Sequence, residues 1–225
     1  WTNILSNVAG AYHALFINNG NKLETALGYA TLYGDVGGAI AVLGDLTKTE
    51  VFEMARYINN EVHHDEIIPW TLIPDELFRF DNGKIAPSAE LKEKQIDPMR
   101  FGYHDALLEA LTNYNKTSPE QILRWYKEGT LAENVYISYE LLEGWFITTR
   151  STFIADLDWF RNQHNGNVFK RVQAPPIIIL SKSAYGYDIR ESIIPTQAPR
   201  AYTRMKAEIL QMDRYYPKAE LIITA

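Results

Sequence analysis

Cysteine is missing altogether from the 225 residues, which excludes disulfides, thiolate catalysis and the usual structural zinc sites together. No apolar run approaches the roughly 18 residues of a membrane span. Positive charge is in short supply: 22 Lys and Arg stand against 28 Asp and Glu, a formal net charge of −6. That balance excludes a general nucleic-acid or acidic-membrane binder. There is no internal repeat, no low-complexity tract, and no signal or targeting pattern. Trp1 runs straight into an amphipathic stretch with no Met before it, so the chain is expected to start inside a longer polypeptide. These absences together lead us to expect a cytoplasmic protein.

What is present is ordinary for a globular fold, with 46% hydrophobic and 22% charged residues, enough for a real core. Ile4, Leu5, Val8 and Tyr12 recur at helical spacing, so residues 3–13 read as a helix. The run Ala14-Leu15-Phe16-Ile17 reads as a fully buried strand of the parallel kind. Residues 22–33 read as a helix with Leu23, Ala26, Leu27 and Ala30 on one face, and Ala39 to Leu43 as the next strand. Thr47-Lys48-Thr49-Glu50 is a capping box, and Val51, Met54, Ala55 and Ile58 give its helix an inward stripe. This order is α/β arithmetic over residues 1–68. Residues 69–100, rich in Pro and carrying the hairpin signal FDNGK, read as a mobile binding loop. Residues 101–225 return to helix, with Ser118-Pro119-Glu120 as a start signal, a short helix near 200–213, and a final apolar stretch Leu221-Ile222-Ile223.

The stretch NNGNKLETALGYATLYGD, residues 18–35, places a polar cluster where a strand hands over to a helix. Parallel α/β sheets do their chemistry at that end of the strands. Gly20 lets the backbone approach a ligand, Asn19 and its neighbours offer amide donors, and Glu24 can hold Mg²⁺ in the first helical turn. A capped turn with a dipole-favoured Glu accounts for the same residues. Lys48 stands in the first turn of a helix, where the dipole disfavours a cation unless phosphate compensates. Asp35 follows the aromatic turn Tyr33-Gly34. Together they suggest a Mg-nucleotide site, with solvated surface charge as the alternative for Asp35 and Lys48.

The blocks GNKLETALGYATLYGD, GDLTKTEVFEMARYIN, PSAEL and FKRVQAPP with SAYGYDIRESI resemble, in order, NAD synthetase of the glutamine-dependent kind. The resemblance implies the parallel-sheet ATP-pyrophosphatase fold, incomplete at its N-terminal side and helical toward the C-terminus. It implies ATP-dependent amidation of nicotinic acid adenine dinucleotide to NAD through an adenylate, releasing AMP and pyrophosphate, with Mg²⁺ and with ammonia or glutamine as nitrogen source. It also implies a homodimer. By matched position, Glu24 is the Mg²⁺ ligand, and Asn19, Gly20, Lys48 and Ser88 bind ATP. Tyr33, Asp35, Lys170 and Arg171 bind the dinucleotide substrate, and Asp35 and Lys48 are catalytic.

The family's SGGxDS phosphate loop does not occur, and Gly37-Gly38 lacks its context. The chain therefore reads as the C-terminal part of one synthetase domain, without a glutaminase domain, and is expected to be inactive alone. Asn7 stands where the family has Arg, so no substrate contact is assigned there. The rivals are another adenylating enzyme of the same fold, such as GMP synthetase, and a noncatalytic nucleotide-binding remnant. Adjacent His63 and His64 point apart on any regular element, which is poor metal geometry. His104-Asp105 reads as a helix cap or surface pair, and Trp125, Trp145, Trp159 and Phe160 as core or dimer interface.

Overall fold

Two capping boxes place the helices that follow the strands. The computed structural model describes residues 2–74, 98–112, 117–186 and 189–212. Helix α1 (Thr2–Ala11) leads to strand β1 (Ile17–Asn18), helix α2 (Lys22–Leu27), strand β2 (Ile40–Ala41) and helix α3 (Lys48–Tyr57). The strands pair in parallel, Ile17 with Ile40 and Asn18 with Ala41, and Ala41 makes a further parallel bridge to Ile177. The result is an α/β arrangement with a small parallel sheet and many helices.

Several sequence expectations change here. The buried strand over Ala14 to Ile17 shortens to Ile17–Asn18, with Leu15 81% exposed. No described residue covers that face, nor the apolar stripe of α1, which buries nothing. Helix α2 stops at Leu27 because Gly28 turns left-handed at φ 61 and donates to the Glu24 and Thr25 carbonyls. A Cβ at Gly28 would also come 2.4 Å from the Asn167 Cβ, so glycine is required twice over. The inward face of α3 is Phe52 and Ala55, packed with Ile73, while Met54 faces out. The large ring takes the buried side and the flexible thioether yields it.

The main core lies in the C-terminal helices: α4 (Tyr103–Thr112), α5 (Pro119–Glu128), α6 (Leu131–Asn134), α7 (Tyr139–Gly144), α8 (Arg150–Gly166), α9 (Val168–Arg171) and α10 (Pro199–Leu210). Ser118 caps α5 by accepting from the Gln121 amide, with Pro119 at its first position. Tyr126 on α5 and Phe153 on α8 stack with centroids 3.7 Å apart. Trp145 and Phe160 are buried, with Trp125 and Trp159 packed against them, so this aromatic set belongs to the core. Leu23, Ala26 and Leu27 of α2 join the same core, each Leu contributing about 2 kcal/mol. That anchors the helix whose first turn faces the cleft described next.

His104 and Asp105 are not a surface pair. Both are buried, because the α4 periodicity turns them inward with Leu107 and Leu108. The His104 Nδ1 accepts from the Arg100 amide at 3.0 Å, and its Nε2 faces Asp156 at the same distance. Asp105 accepts from the Thr49 amide and hydroxyl and from the Gly102 amide. It therefore brings a carboxylate to the start of α3 from a different helix. The hairpin FDNGK, Ser88 and Leu221-Ile222-Ile223 lie outside the described residues.

Candidate functional site

The polar turn between β1 and α2 forms one wall of a cleft of about 270 Å³. Asn21 is the N-cap of α2 and accepts from the Glu24 amide at 3.0 Å, while the Glu24 Oε2 accepts from the Asn21 amide at 2.9 Å. The capped-turn reading of Glu24 is thus realised, and the same carboxylate lines the cleft. Asn19 and Gly20 line it beside Glu24, Asp35 faces them from the loop after α2, Lys48 enters from α3, and Lys170 and Arg171 from α9. Seven of the residues singled out in the sequence converge there.

Each has its own setting. The Asp35 Oδ1 accepts from the Thr31 amide, which curls the loop so that the carboxylate meets the cleft. The Lys48 ammonium lies 5.4 Å from the Phe52 ring centroid and 5.6 Å from that of Phe101, a favourable cation–π placement. Among the described residues no carboxylate lies within ion-pair distance of it. The start of α3 is balanced by Glu50 and by Asp105, so the dipole there already has its carboxylates. Lys48 is then a cation left for the cleft. Lys170 donates to the Gly28 and Ala30 carbonyls at 3.1 and 2.9 Å, where the C-terminal end of α2 favours a cation.

Two placements differ from expectation. Tyr33 is 77% exposed with φ 54 and is not part of the cleft lining; its amide is held by Gln173. Arg171 is 1% exposed and donates to the carbonyls of Ala26, His164, Arg190 and Ser192. Its guanidinium braces the wall through main-chain acceptors, instead of reaching out to an anion. Ser88 lies outside the described residues.

The sequence reading passed over Lys22 and Asn18. Lys22 is buried against Asp45, Glu109, Ser181 and Ser183, partners 23 to 161 residues away that no local pattern signals. Asn18 stood in the quoted cluster, but only its contacts distinguish it from Asn19.

Beside Arg171, His164 is fully buried. Asn165 Oδ1 accepts from the Ile194 amide and faces His164 Nδ1, which leaves Nε2 to accept from the Tyr185 hydroxyl at 2.6 Å. Burial, then the Arg171 charge, push the imidazole down to about 4. A folded pKa below the unfolded value of 6.5 means the unfolded chain binds the extra proton, so stability present above pH 6.5 falls as pH drops toward 4. The loss should approach about 3 kcal/mol. Urea unfolding at pH 7 and 4.5 checks this, and His164→Gln should flatten the difference. An unchanged slope in that variant would place the acid sensitivity elsewhere.

Among the described residues no three His, Cys, Asp or Glu side chains gather as a metal cluster. One or two carboxylates, Glu24 and Asp35, on a cleft with an exposed backbone turn fit a Mg²⁺ whose other ligands are phosphate and water. They do not fit an all-protein cage. Among the described residues no helix is long and apolar enough to cross a membrane.

The family model described as NAD synthase matches residues 2–138. The glutamine-dependent NAD(+) synthetase of Aquifex aeolicus is 30% identical over 190 residues, covering 84% of this chain and 27% of that protein. That of Synechocystis sp. is 38% identical over 105 residues, covering 47% of this chain and 16% of that protein. The NH(3)-dependent NAD(+) synthetase of Wolinella succinogenes is 40% identical over 89 residues, covering 40% of this chain and 28% of that protein. The crystal structure of a glutamine-dependent NAD(+) synthetase from Cytophaga hutchinsonii superposes with a TM-score of 0.51 at 16% identity, over 92% of this chain and 28% of that one. At that identity the likeness is one of fold. The chain spans between 16% and 28% of the length of these relatives.

Proposed function

Because the chain belongs to the NAD synthase family, we propose that it forms part of an enzyme that amidates nicotinic acid adenine dinucleotide to NAD at the expense of ATP. The observation that carries this reading is the convergence of Asn19, Gly20, Glu24, Asp35 and Lys48 on one cleft. The family match spans all five, which favours NAD synthesis over the GMP synthetase reading. The fold it calls for is the ATP-pyrophosphatase α/β fold, and the polypeptide is cytoplasmic and dimeric on this reading.

In the first step the nicotinate carboxylate attacks the α-phosphate of ATP, the bond to pyrophosphate breaks, and an adenylate forms. Ammonia, free or released from glutamine, then attacks the acyl carbon, the carbon–oxygen bond breaks, and AMP leaves with that oxygen. The Asn19-Gly20 turn receives the phosphates closely, and Lys48 offers them positive charge, which is preorganised stabilisation and in-line positioning. Glu24 would hold Mg²⁺, which neutralises phosphate charge when bound. Asp35, on the opposite wall, holds ammonia by accepting its hydrogen bond and takes the proton it loses.

The test uses the full-length polypeptide that contains this chain, with ATP, Mg²⁺, nicotinic acid adenine dinucleotide and ammonium, measuring NAD and AMP together. Equal amounts of both support the reading; absence of both overturns it. Lys48→Ala should raise the KM for ATP about tenfold or more and leave thermal stability within roughly 1 kcal/mol, since only cation–π contacts are lost. A large stability loss with unchanged ATP use would make Lys48 structural.

A further inference from the structure

We infer that Asn18 is a positioning residue that sets the separation between the two walls of the cleft, holding the Asp35 loop against the Asn19–Glu24 turn. It ends β1, is nine-tenths buried and lines the cleft. Its side chain spends its hydrogen bonds on both walls. The Oδ1 accepts from the Gly20 amide at 2.8 Å, while the Nδ2 donates to the Asp35 carbonyl at 2.7 Å and the Gly37 carbonyl at 3.1 Å. One planar amide thus joins the turn proposed to receive phosphate to the loop that carries the proposed proton acceptor.

The backbone closes on Asn18 from both walls. A Cβ on Gly20 would lie 2.9 Å from the Asn18 Oδ1, and one on Gly38 would lie 2.9 Å from the Asn18 main-chain nitrogen and 3.0 Å from its Cβ. Gly38 is also required by its own φ of +155. The other ties of the loop lie elsewhere. Among the described residues, the Thr2 hydroxyl donates to the Gly34 carbonyl, the Tyr33 amide to Gln173, Lys170 to the Ala30 carbonyl, and the Ala39 amide to the Phe16 carbonyl. None of those bonds reaches the Gly20 turn.

Asparagine is the residue this place requires. It carries an acceptor for one wall and two donors for the other on a single rigid group. Aspartate keeps the acceptor but turns a carboxylate oxygen on two carbonyls, and alanine removes both functions. Displacing a reacting group by about 1 Å costs on the order of 10²-fold in rate.

The inference rests on the function proposed above, and its test separates the two. In the full-length protein, Asn18→Asp and Asn18→Ala are compared with wild type by hydrogen exchange at individual amides and by steady-state NAD synthesis. In Asn18→Asp the amides of Thr31, Gly34 and Gly37 should exchange at least about tenfold faster, while Leu23 and Ala26 in α2 stay protected. The Gly20 amide should lose protection only in Asn18→Ala. The kcat should fall about 10²-fold while the KM for ATP stays within about threefold, because Gly20 and Lys48 remain in place. A merely structural residue would lower the melting temperature and leave kcat per folded molecule unchanged. Unchanged exchange over residues 31–38, or kcat within twofold of wild type in both variants, overturns the inference. A wild-type protein that makes no NAD overturns the reading of the cleft instead.

Discussion

Lys22→Met should lower the unfolding free energy by about 3–5 kcal/mol, the usual loss when one partner of a buried ion pair is removed. Lys22 is 1% exposed at the first position of α2, and its Nζ lies 2.7 Å from Glu109 and 3.3 Å from Asp45. The hydroxyls of Ser181 and Ser183 lie 3.1 Å from it. Burial alone would push the Asp45 carboxyl up. The amides of Leu180 and Ser181, the Ser181 hydroxyl and the Lys22 charge outweigh it and hold it below the usual range. Met fills the space of the stem but leaves Asp45 without its counter-charge. Glu109 is half-exposed and can rehydrate, so the loss falls mainly on Asp45. At roughly 2–4 °C per kcal/mol for a chain of this size, the melting temperature should drop by on the order of 10 °C. A change below about 1 kcal/mol would mean that the pair barely offsets its own desolvation. Restoration by the double variant Lys22→Met with Asp45→Asn would locate the loss at the uncompensated carboxylate.

Glu24→Gln in the full-length protein should reduce Mg²⁺-dependent AMP formation by about 10²–10³-fold, comparable to removing one electrostatic contact from a preorganised site. Stability should change by less than roughly 1 kcal/mol. Glutamine at the third helical position closes a capping box as glutamate does, so the bond to the Asn21 amide survives. What disappears is the charge, and with it the anionic ligand proposed for Mg²⁺. Titration of Mg²⁺ should show the loss as a higher metal requirement before it shows as a lower plateau. Activity equal to wild type, with the cap intact, would leave Glu24 as a helix terminator alone.

The same split between local and distant partners runs through the molecule. The Thr47 and Ser118 caps were readable because every group involved lies within three residues. The stop at Gly28 was not, since the helical pattern ran on to residue 33 and Asn167 closes on that glycine from far along the chain. Glu24 was readable in both its roles, since a cap and a cleft carboxylate require the same position. Lys48 was singled out as a cation set against the helix dipole, and the structure places it on the cleft. Its helix start is relieved by Asp105, fifty-six residues on, and the ammonium rests over two rings. The carbonyl partners of Arg171 were not readable, because a basic residue before two prolines looks the same whether it meets an anion or four carbonyls.

By itself, then, the amino-acid sequence determined the family, the helix caps and seven of the residues that meet at the cleft, though not Asn18. These depend on identity and short spacing. Only the tertiary structure decided which charges are left for a ligand and which are consumed inside. Lys22, Arg171, His104 and Asp105 are buried, so each needs partners, and those partners come from segments far along the chain. Burial and long-range hydrogen bonding are properties of the folded surface, and no window of sequence contains them.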